Sequence, residues 1–374
     1  LEYRMDTFCK GMSNQGTMIM IMVFLLAGAF SGVAKAMGGV QATANLGLSL
    51  VPTQFMFAGL FLISAFMATA MGTSMGTISA VGPIAVAVAE SAGLNLALAI
   101  STVLGGAMFG DNLSFISDTT IVATRTQGCQ MSDKFKVNIR IALPIAILTG
   151  LIYVLVGSGV ENAYAPAPIE WVKVIPYLVV LVTAVCGINV MLVLFIGIVL
   201  SGIVGLWTGS FDIWGWNASM GLGITNMGEL IIVTLLAGGM LEMIRYNGGI
   251  DWIIRKLTSR IHSSKGAEMS IAALVSFANL CTANNTIALI MAGPIAKDIA
   301  DRFKIDPRRS ASLLDIFSCF VQGIIPYGAQ MLMAAGLGHV SPIEIMQYLY
   351  YPYLLGAGAL LAILFNYPRK YTLV

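Results

Sequence analysis

Two carboxylates lie inside an eleven-residue polar segment, residues 110–120, which separates two long apolar runs. Asp111 and Asp118 are its acidic members, and Asn112, Ser114 and Thr119 place amide and hydroxyl oxygens beside them. Oxygens of this kind bind a hard cation such as Na⁺, and a buried carboxylate can bind a proton in its place. The segment therefore predicts a cation- or proton-binding site, with Na⁺ held at Asp111 and Asp118.

A structural role is the alternative for Asp118. It could cap the N-terminus of a following helix, with Ser117 and Thr119 forming local hydrogen bonds. A charged side chain at the centre of a membrane costs about 2.5–3.5 kcal/mol, so such groups are seldom present without a function. That rarity favours a direct role for both carboxylates, and more strongly for Asp111.

Three further polar segments interrupt the apolar runs, at residues 72–77, 283–286 and 322–330. Their candidate ion- or substrate-binding side chains are Thr73, Ser74, Thr77, Asn284, Asn285, Thr286, Gln322 and Tyr327. Asparagine also occurs in plain turns and small hydroxyl residues also pack helices, so a structural role stays open for these positions. Asp315 lies in an apolar segment just before Gln322, where it could carry a proton or pair with a Lys or Arg.

The composition indicates that helices crossing a membrane hold these segments. The chain has 374 residues, of which 57% are hydrophobic and only 10% charged, and its mean hydropathy is +0.86. The apolar runs are continuous, often about 18 residues or longer, which favours spanning helices over alternating strands. The net charge of +2 gives no indication of nucleic-acid binding. The five cysteines have no metal-ligand spacing, and we expect no resident cofactor.

An internal repeat organises the chain. Leu-Leu-Ala-Gly at residues 25–28 recurs at residues 235–238, and Gly-Pro-Ile-Ala at residues 82–85 recurs at residues 293–296. We therefore expect repeat 1 at residues 17–157, a two-span connector at residues 158–225 and repeat 2 at residues 226–366. Residues 1–16 form a cytoplasmic or interfacial start that we expect to be truncated, and residues 367–374 form a cytoplasmic tail.

Segment lengths and charge predict the topology. Residues 267–303 form two arms of about 15–17 residues, roughly 25 Å each, which favours a re-entrant hairpin with its tip at residues 283–286. Residues 249–262 are amphipathic and predict an interfacial helix. Three crossings per repeat then place 18 of the 20 Lys and Arg residues on one side, as the positive-inside rule requires. We predict an all-α polytopic membrane protein with two inverted-topology repeats, each with a re-entrant helical hairpin and a broken transmembrane helix.

The polar motifs also carry a family resemblance. The segment at residues 110–120, its continuation at residues 123–129, and the motifs at residues 283–286, 293–296 and 323–328 resemble the NhaC-type Na⁺/H⁺ antiporter family of the ion-transporter superfamily. The resemblance covers almost the whole chain. It implies inverted repeats, broken helices, a multi-pass protein of the bacterial inner membrane and a homodimer. Relatives of this kind include Na⁺/H⁺ antiporters, malate/lactate exchangers and amino-acid transporters.

Two hypotheses on function follow, and a third stays open. The first is a secondary transporter that exchanges Na⁺ for H⁺ through a midplane carboxylate site, without a resident cofactor. The second is a Na⁺- or H⁺-coupled transporter of small organic acids or amino acids, whose carboxylate would bind to half-helix N-termini. A channel is the third class. An enzyme is disfavoured because no Ser/His, His/Glu or paired-metal arrangement is found in the sequence.

Overall fold

The computed structural model describes residues 2–50, 52–114, 117–158, 168–186, 188–248 and 263–371, and these form helices without any strand. The all-α prediction is therefore confirmed. The first half contains α1 Glu2–Met12, α2 Gln15–Met37, α3 Gly39–Leu50, α4 Met56–Met71, α5 Ser74–Ala92, α6 Leu96–Leu113, α7 Asp118–Gln127 and α8 Met131–Gly157. The remainder contains α9 Trp171–Val185, α10 Val190–Trp207, α11 Ile213–Asn226, α12 Gly228–Tyr246, α13 Ser264–Thr282, α14 Asn285–Phe303, α15 Pro307–Ile324, α16 Ala329–Gly338, α17 Pro342–Met346 and α18 Tyr350–Leu364.

Several of these segments suit a lipid bilayer. Five described segments are long and apolar enough to cross a membrane: Thr17–Met37, Ser74–Ala92, Leu96–Gln127, Met131–Gly157 and Pro307–Gly338. On α8, Leu143, Ile147, Leu151 and Leu155 recur at four-residue steps and are all exposed. An exposed leucine-rich stripe of this length is typical of a helix that faces lipid rather than water. The protein is a multi-pass membrane protein.

The two halves use the same helical units. The pairs α4–α5 and α13–α14 are hairpins, and the pairs α6–α7 and α15–α16 are helices with a short break. Leu113 corresponds to Ile324 at the start of the breaks, and Asp118 corresponds to Ala329 at their end, 211 positions later in each case. Both hairpin tips have a residue with positive φ, Gly72 at 69° and Ala283 at 50°. The inverted orientation of the halves and the proposed domain bounds stay predictions.

Both breaks are narrower than the sequence suggested. The N–H of Ser114 donates to the Gly110 carbonyl, and the N–H of Ile325 donates to that of Val321, so helical bonding continues well into each polar segment. The first break is therefore residues 114–117, of which 115 and 116 lie outside the described residues, and the second is residues 325–328. As a result Asp111 and Gln322 lie in the last turns of helices rather than on unwound backbone.

Other boundaries also differ from the predictions. The second hairpin has arms of 19 residues rather than 15–17, about 28 Å each, so arm length alone does not show that it is re-entrant. The connector adds a third helix, α11, and the last predicted span is divided into α17 and α18. The predicted interfacial helix at residues 249–262 lies outside the described residues.

Glycines bring α4 and α6 into close contact near the first break. A Cβ atom at Gly106 would lie 2.3 Å from the Phe61 carbonyl oxygen, and one at Gly110 would lie 2.4 Å from that of Ala65. Only glycine permits this approach of two helix backbones, the usual device of packed membrane helices. The contact holds the end of α6, which carries Asp111, against the end of α4 and the first hairpin tip.

Candidate functional site

Asp111 is buried in the last turn of α6 with 4% of its side chain exposed. The Ser74 hydroxyl donates to its Oδ2 atom at 2.9 Å, and the Ser117 hydroxyl donates to its Oδ1 atom at 2.5 Å. Hydrogen bonds to a carboxylate are stronger than those between neutral groups and favour the ionised form. The C-terminal end of a helix is the negative end of its dipole, so this carboxylate lies where a cation is attracted.

A chain of side-chain hydrogen bonds joins Asp111 to the second half of the protein. The Gln330 amide donates to the Ser74 hydroxyl at 3.1 Å. The Gln322 amide donates to Gln330 Oε1 at 2.6 Å and to the Ala283 carbonyl at 3.1 Å. Because a carbonyl can only accept, the Ala283 contact fixes the orientation of the Gln322 amide. The chain therefore connects both hairpin tips with both broken helices and directs its donors toward Asp111.

These groups border a cavity of about 600 Å³. Its wall includes these predicted residues: Thr73, Ser74, Asp111, Asp118, Thr119, Asn284, Asn285, Thr286, Gln322 and Tyr327. Three buried polar atoms of the described residues on this wall have no hydrogen-bond partner: Gln322 Oε1, Asn285 Nδ2 and Thr234 Oγ1. An unpartnered buried polar atom costs free energy, so the first is suited to a ligand cation or donor and the second to a ligand acceptor.

Asp118 occupies a different environment from Asp111. It is the first residue of α7 and is exposed, although it lies on the cavity wall. Ser117, not Asp118, precedes the helix as its cap residue. Asp118 therefore does not cap the helix as the structural alternative proposed, although Ser117 and Thr119 do form the expected local hydrogen bond at 2.8 Å. The helix dipole favours an acidic side chain in this first turn. Three described carboxylates thus border the cavity: Asp111 is buried, Glu242 is half-buried and Asp118 is exposed.

The hairpin tips are shaped by their own polar residues. Thr73 Oγ1 accepts a hydrogen bond from the Gly76 N–H, and Asn284 Oδ1 accepts one from the Ile287 N–H, so each caps the second arm of its hairpin. Tyr327 donates its hydroxyl to the Leu280 carbonyl at 2.7 Å, which joins the second break to the second hairpin. These residues therefore have structural roles in addition to any contact with a ligand.

Three predicted ligands lie away from the cavity wall. The Asn112 amide donates to Asp315 Oδ2 at 2.9 Å, the Ser114 hydroxyl to the Thr69 carbonyl at 2.9 Å, and the Thr77 hydroxyl to the Thr73 carbonyl at 3.0 Å. Successive side chains of a helix differ in direction by about 100°, so Asn112 does not share the site of Asp111 although it follows it in the sequence.

Asp315 forms a buried ion pair that the sequence did not locate. Lys134 Nζ lies 2.7 Å from Asp315 Oδ2, and the two side chains are 1% and 0% exposed. Asn138, one helical turn after Lys134 on α8, donates its amide to the same oxygen at 2.9 Å. Of the two roles considered for Asp315, the structure shows the partner of a lysine. The helical spacing of Lys134 and Asn138 before an apolar run is the signal that could have indicated it.

Two of the basic residues in the charge count are buried and paired. Lys134 is buried beside Asp315, and Arg309 is buried against Glu268 with Nη2 3.0 Å from Oε2. A buried charge is retained when a partner compensates it, and loop position alone does not reveal such a partner.

Comparison with known proteins shows the family to which this sequence belongs. The sequence profile described as the Na⁺/H⁺ antiporter family matches residues 4–158 and 165–367, which is almost the whole chain. The chain belongs to this family. It is 25% identical to the malate-2H⁺/Na⁺-lactate antiporter of Bacillus subtilis, over 98% of this chain and 84% of that protein.

Two further similarities concern a named antiporter and a solved structure. The chain is 23% identical to the Na⁺/H⁺ antiporter NhaC of Alkalihalophilus pseudofirmus, over 93% of this chain and 81% of that protein. It also matches the Alcanivorax borkumensis YdaH transporter at 14% identity and a TM-score of 0.44, over 92% of this chain and 84% of that chain. The predicted family is therefore confirmed by the sequence comparisons.

Proposed function

We propose that this member of the Na⁺/H⁺ antiporter family exchanges Na⁺ for H⁺ across the bacterial inner membrane by alternating access, with Asp111 as the shared carboxylate. The observation that carries the proposal is the chain of donors from Gln322 and Gln330 through Ser74 to Asp111, on the wall of a cavity. A buried carboxylate with organised donors and an open side is suited to binding either cation.

Exchange follows from competition at Asp111. An ionised carboxylate has about four lone-pair positions, and Ser74 and Ser117 occupy two of them. The remaining positions can bind Na⁺ or accept a proton, and one event excludes the other. Thr119 and the unpartnered Gln322 Oε1 supply neutral oxygens on the same wall. Exposed Asp118 attracts cations to the cavity without sharing the hydrogen bonds of Asp111.

Contacts between tips and breaks support re-entrant hairpins. Gln322 reaches the Ala283 carbonyl at the second tip, and Asp111 reaches Ser74 at the first. The second break lies well inside the continuous apolar segment Pro307–Gly338, so a tip that touches it lies at about the same depth. Irregular backbone at that depth is tolerated where it borders a cavity. We propose that both hairpins return to the side from which they enter and that the repeats have opposite orientation.

The cavity mouth supports an inward-facing state. Asn14 and Gln15 lie at the start of α2, and Glu242 and Arg245 lie at the end of α12; all four border the cavity. The charge distribution assigns this end of both helices, and the C-terminal tail, to the cytoplasmic side. The cavity then opens to the cytoplasm, and the reverse movement would open it outside.

A second candidate function is exchange of a small organic acid or amino acid together with Na⁺ or H⁺. A cavity of about 600 Å³ is within the roughly 300–1,000 Å³ range of small-molecule sites and is larger than an ion requires. Asn285 Nδ2, which has no partner, could donate to a substrate carboxylate. The Bacillus subtilis relative is named for malate and lactate, which makes these two acids the first solutes to test.

Reconstituted protein separates the two candidates. In proteoliposomes with an internal pH dye, a Na⁺ gradient alone should move protons in the opposite direction if Na⁺/H⁺ exchange is the function. Proton movement that requires malate, lactate or an amino acid would instead support the second candidate. Saturation with Na⁺ is expected for either transporter, whereas flux that does not saturate would indicate a channel.

A further inference from the structure

The Lys134 ammonium group lies in a binding site made of three different oxygens. Nζ is 2.7 Å from Asp315 Oδ2, 2.7 Å from the Asn112 carbonyl oxygen and 2.5 Å from Thr120 Oγ1. Asn112 lies in the last turn of α6, and Thr120 lies in the first turn of α7. The three donors of the ammonium group thus have three acceptors, and the lysine spans the first break.

This oxygen set is the chemistry of a cation site. A carboxylate, a hydroxyl and a main-chain carbonyl from the C-terminal turn of a half-helix are the groups that bind Na⁺ in transporters with broken helices. Here the occupant is a cation attached to α8 by its own side chain, and it is 1% exposed. It cannot leave with the solution ions while the helix stays in place.

A charge count shows what this arrangement does for the cavity. Asp111, Asp315 and Lys134 are close enough to interact electrostatically, and all three are buried. Lys134 compensates Asp315, which also contacts the amides of Asn112 and Asn138 and the side chain of Thr119. The compensation leaves Asp111 as the one buried carboxylate of this group without a cation beside it.

We propose that Lys134 is a fixed internal cation that occupies what would otherwise be a second cation site, and that it limits the transporter to one exchangeable monovalent cation at Asp111. Lys134 is in this sense a positioning residue, because it acts through Asp315 and the break and does not itself border the cavity. The inference rests on the proposed function of Asp111.

The proposal is tested by counting bound Na⁺ on purified full-length protein, by equilibrium binding of radioactive ²²Na⁺. The wild type should bind one Na⁺ per chain. Lys134→Ala removes the fixed cation, leaves its oxygens free and should bind two, with the Hill coefficient for Na⁺ rising from about one toward about two. The double variant K134Q/D315N removes both charges and should return the count to one.

A matched control uses the other fully buried ion pair of the described residues. Arg309 and Glu268 are 0% and 1% exposed and lie away from the cavity wall, so E268Q/R309Q should bind one Na⁺, as the wild type does. An extra Na⁺ in this variant would overturn the proposal, because general loosening would then explain the gain in Lys134→Ala.

Other outcomes of the Na⁺-binding experiment also test the proposal. A count of one in folded Lys134→Ala would overturn the proposal. If that variant does not fold, K134Q/D315N decides, through its Na⁺ count and the ratio of Na⁺ to H⁺ that it exchanges. One bound Na⁺ with the wild-type exchange ratio supports a fixed charge, whereas a changed ratio or no bound Na⁺ would overturn the proposal. Na⁺ binding that persists unchanged in Asp111→Asn would instead reject the proposed function.

Discussion

Gln330 donates its side-chain amide to the Ser74 hydroxyl at 3.1 Å, although the two residues are 256 positions apart in the chain. Ser74 belongs to the first hairpin and Gln330 to the second broken helix. The same hydroxyl donates to Asp111, so Ser74 transmits a contact from one half of the protein to the proposed ion-binding carboxylate of the other. A movement of either half would change the hydrogen bonding of Asp111.

Replacement of Ser74 by alanine should weaken Na⁺ binding. The change removes a donor from Asp111 and leaves the Gln330 amide without this acceptor, a loss of about 1–3 kcal/mol or roughly 5- to 150-fold in affinity. The measurement is the KM for Na⁺ in proteoliposomes at fixed pH. Ser79→Ala is the matched control, because Ser79 is buried on the same helix and donates only to the Gly76 carbonyl. An unchanged KM in Ser74→Ala would contradict the role given to this hydroxyl.

Gly110→Ala should destabilise the protein and impair transport together. The added methyl group would lie 2.4 Å from the Ala65 carbonyl oxygen and 2.5 Å from Ala68 Cβ, so α4 and α6 must separate. Overpacking of this kind costs about 1–3 kcal/mol, and here it also moves Asp111 relative to Ser74. Thermal unfolding in detergent and Na⁺-dependent proton flux are the measurements. Gly150→Ala, where no atom of another described helix lies within 4 Å of the new Cβ, should leave both unchanged.

The hairpin prediction can be tested with a bulky, membrane-impermeant maleimide on a chain whose native cysteines have been replaced. Lys265→Cys, at the start of the second hairpin, should react from the cytoplasmic side. Thr286→Cys, at the tip and on the cavity wall, should not react from outside, because a re-entrant tip stops at the depth of the break. Labelling of Thr286→Cys from outside would show that the arms cross the membrane completely.

The sequence predicted where the helices break, but it predicted less about the side-chain contacts that join the broken ends to other helices. Glycines and polar residues indicated both hairpin tips and both breaks, because such residues are costly in an uninterrupted apolar helix. The hydrogen bond by which Asn284 caps the second arm at the second tip also depends only on residues nearby in the sequence. These features depend on neighbours in the chain, and the structure places them within a few residues of the predictions.

Contacts between distant segments were the part that sequence patterns could not show. From the sequence alone, Lys134 resembles an ordinary loop lysine. Its partner Asp315 lies beside it only because α15 packs against α8. Asn112 follows Asp111 directly, yet its amide is directed to Asp315 rather than to the cavity. The extent of each break was also missed, because helical hydrogen bonds continue wherever tertiary contacts support them.

The affinity for Na⁺ should fall as the pH falls. Protons and Na⁺ compete for Asp111, so acidification raises the KM for Na⁺, by at most about tenfold per pH unit over the range in which Asp111 titrates. The maximal rate at saturating Na⁺ should change less, since Na⁺ then displaces the proton. Initial rates of ²²Na⁺ uptake at several pH values measure both quantities. A KM that is independent of pH would show that the two cations use separate sites.

Asp111→Asn gives the most direct test of the central claim. The amide keeps the shape of the carboxylate and can still accept a hydrogen bond from Ser74, but it cannot exchange a proton for Na⁺. Asp118→Asn is the matched control, because Asp118 is exposed on the same cavity and should change the KM for Na⁺ by only about two- to fivefold. The measurement is Na⁺-dependent proton release from proteoliposomes containing equal amounts of folded protein. We predict that exchange is lost in Asp111→Asn and retained in Asp118→Asn; wild-type exchange in Asp111→Asn would contradict the account.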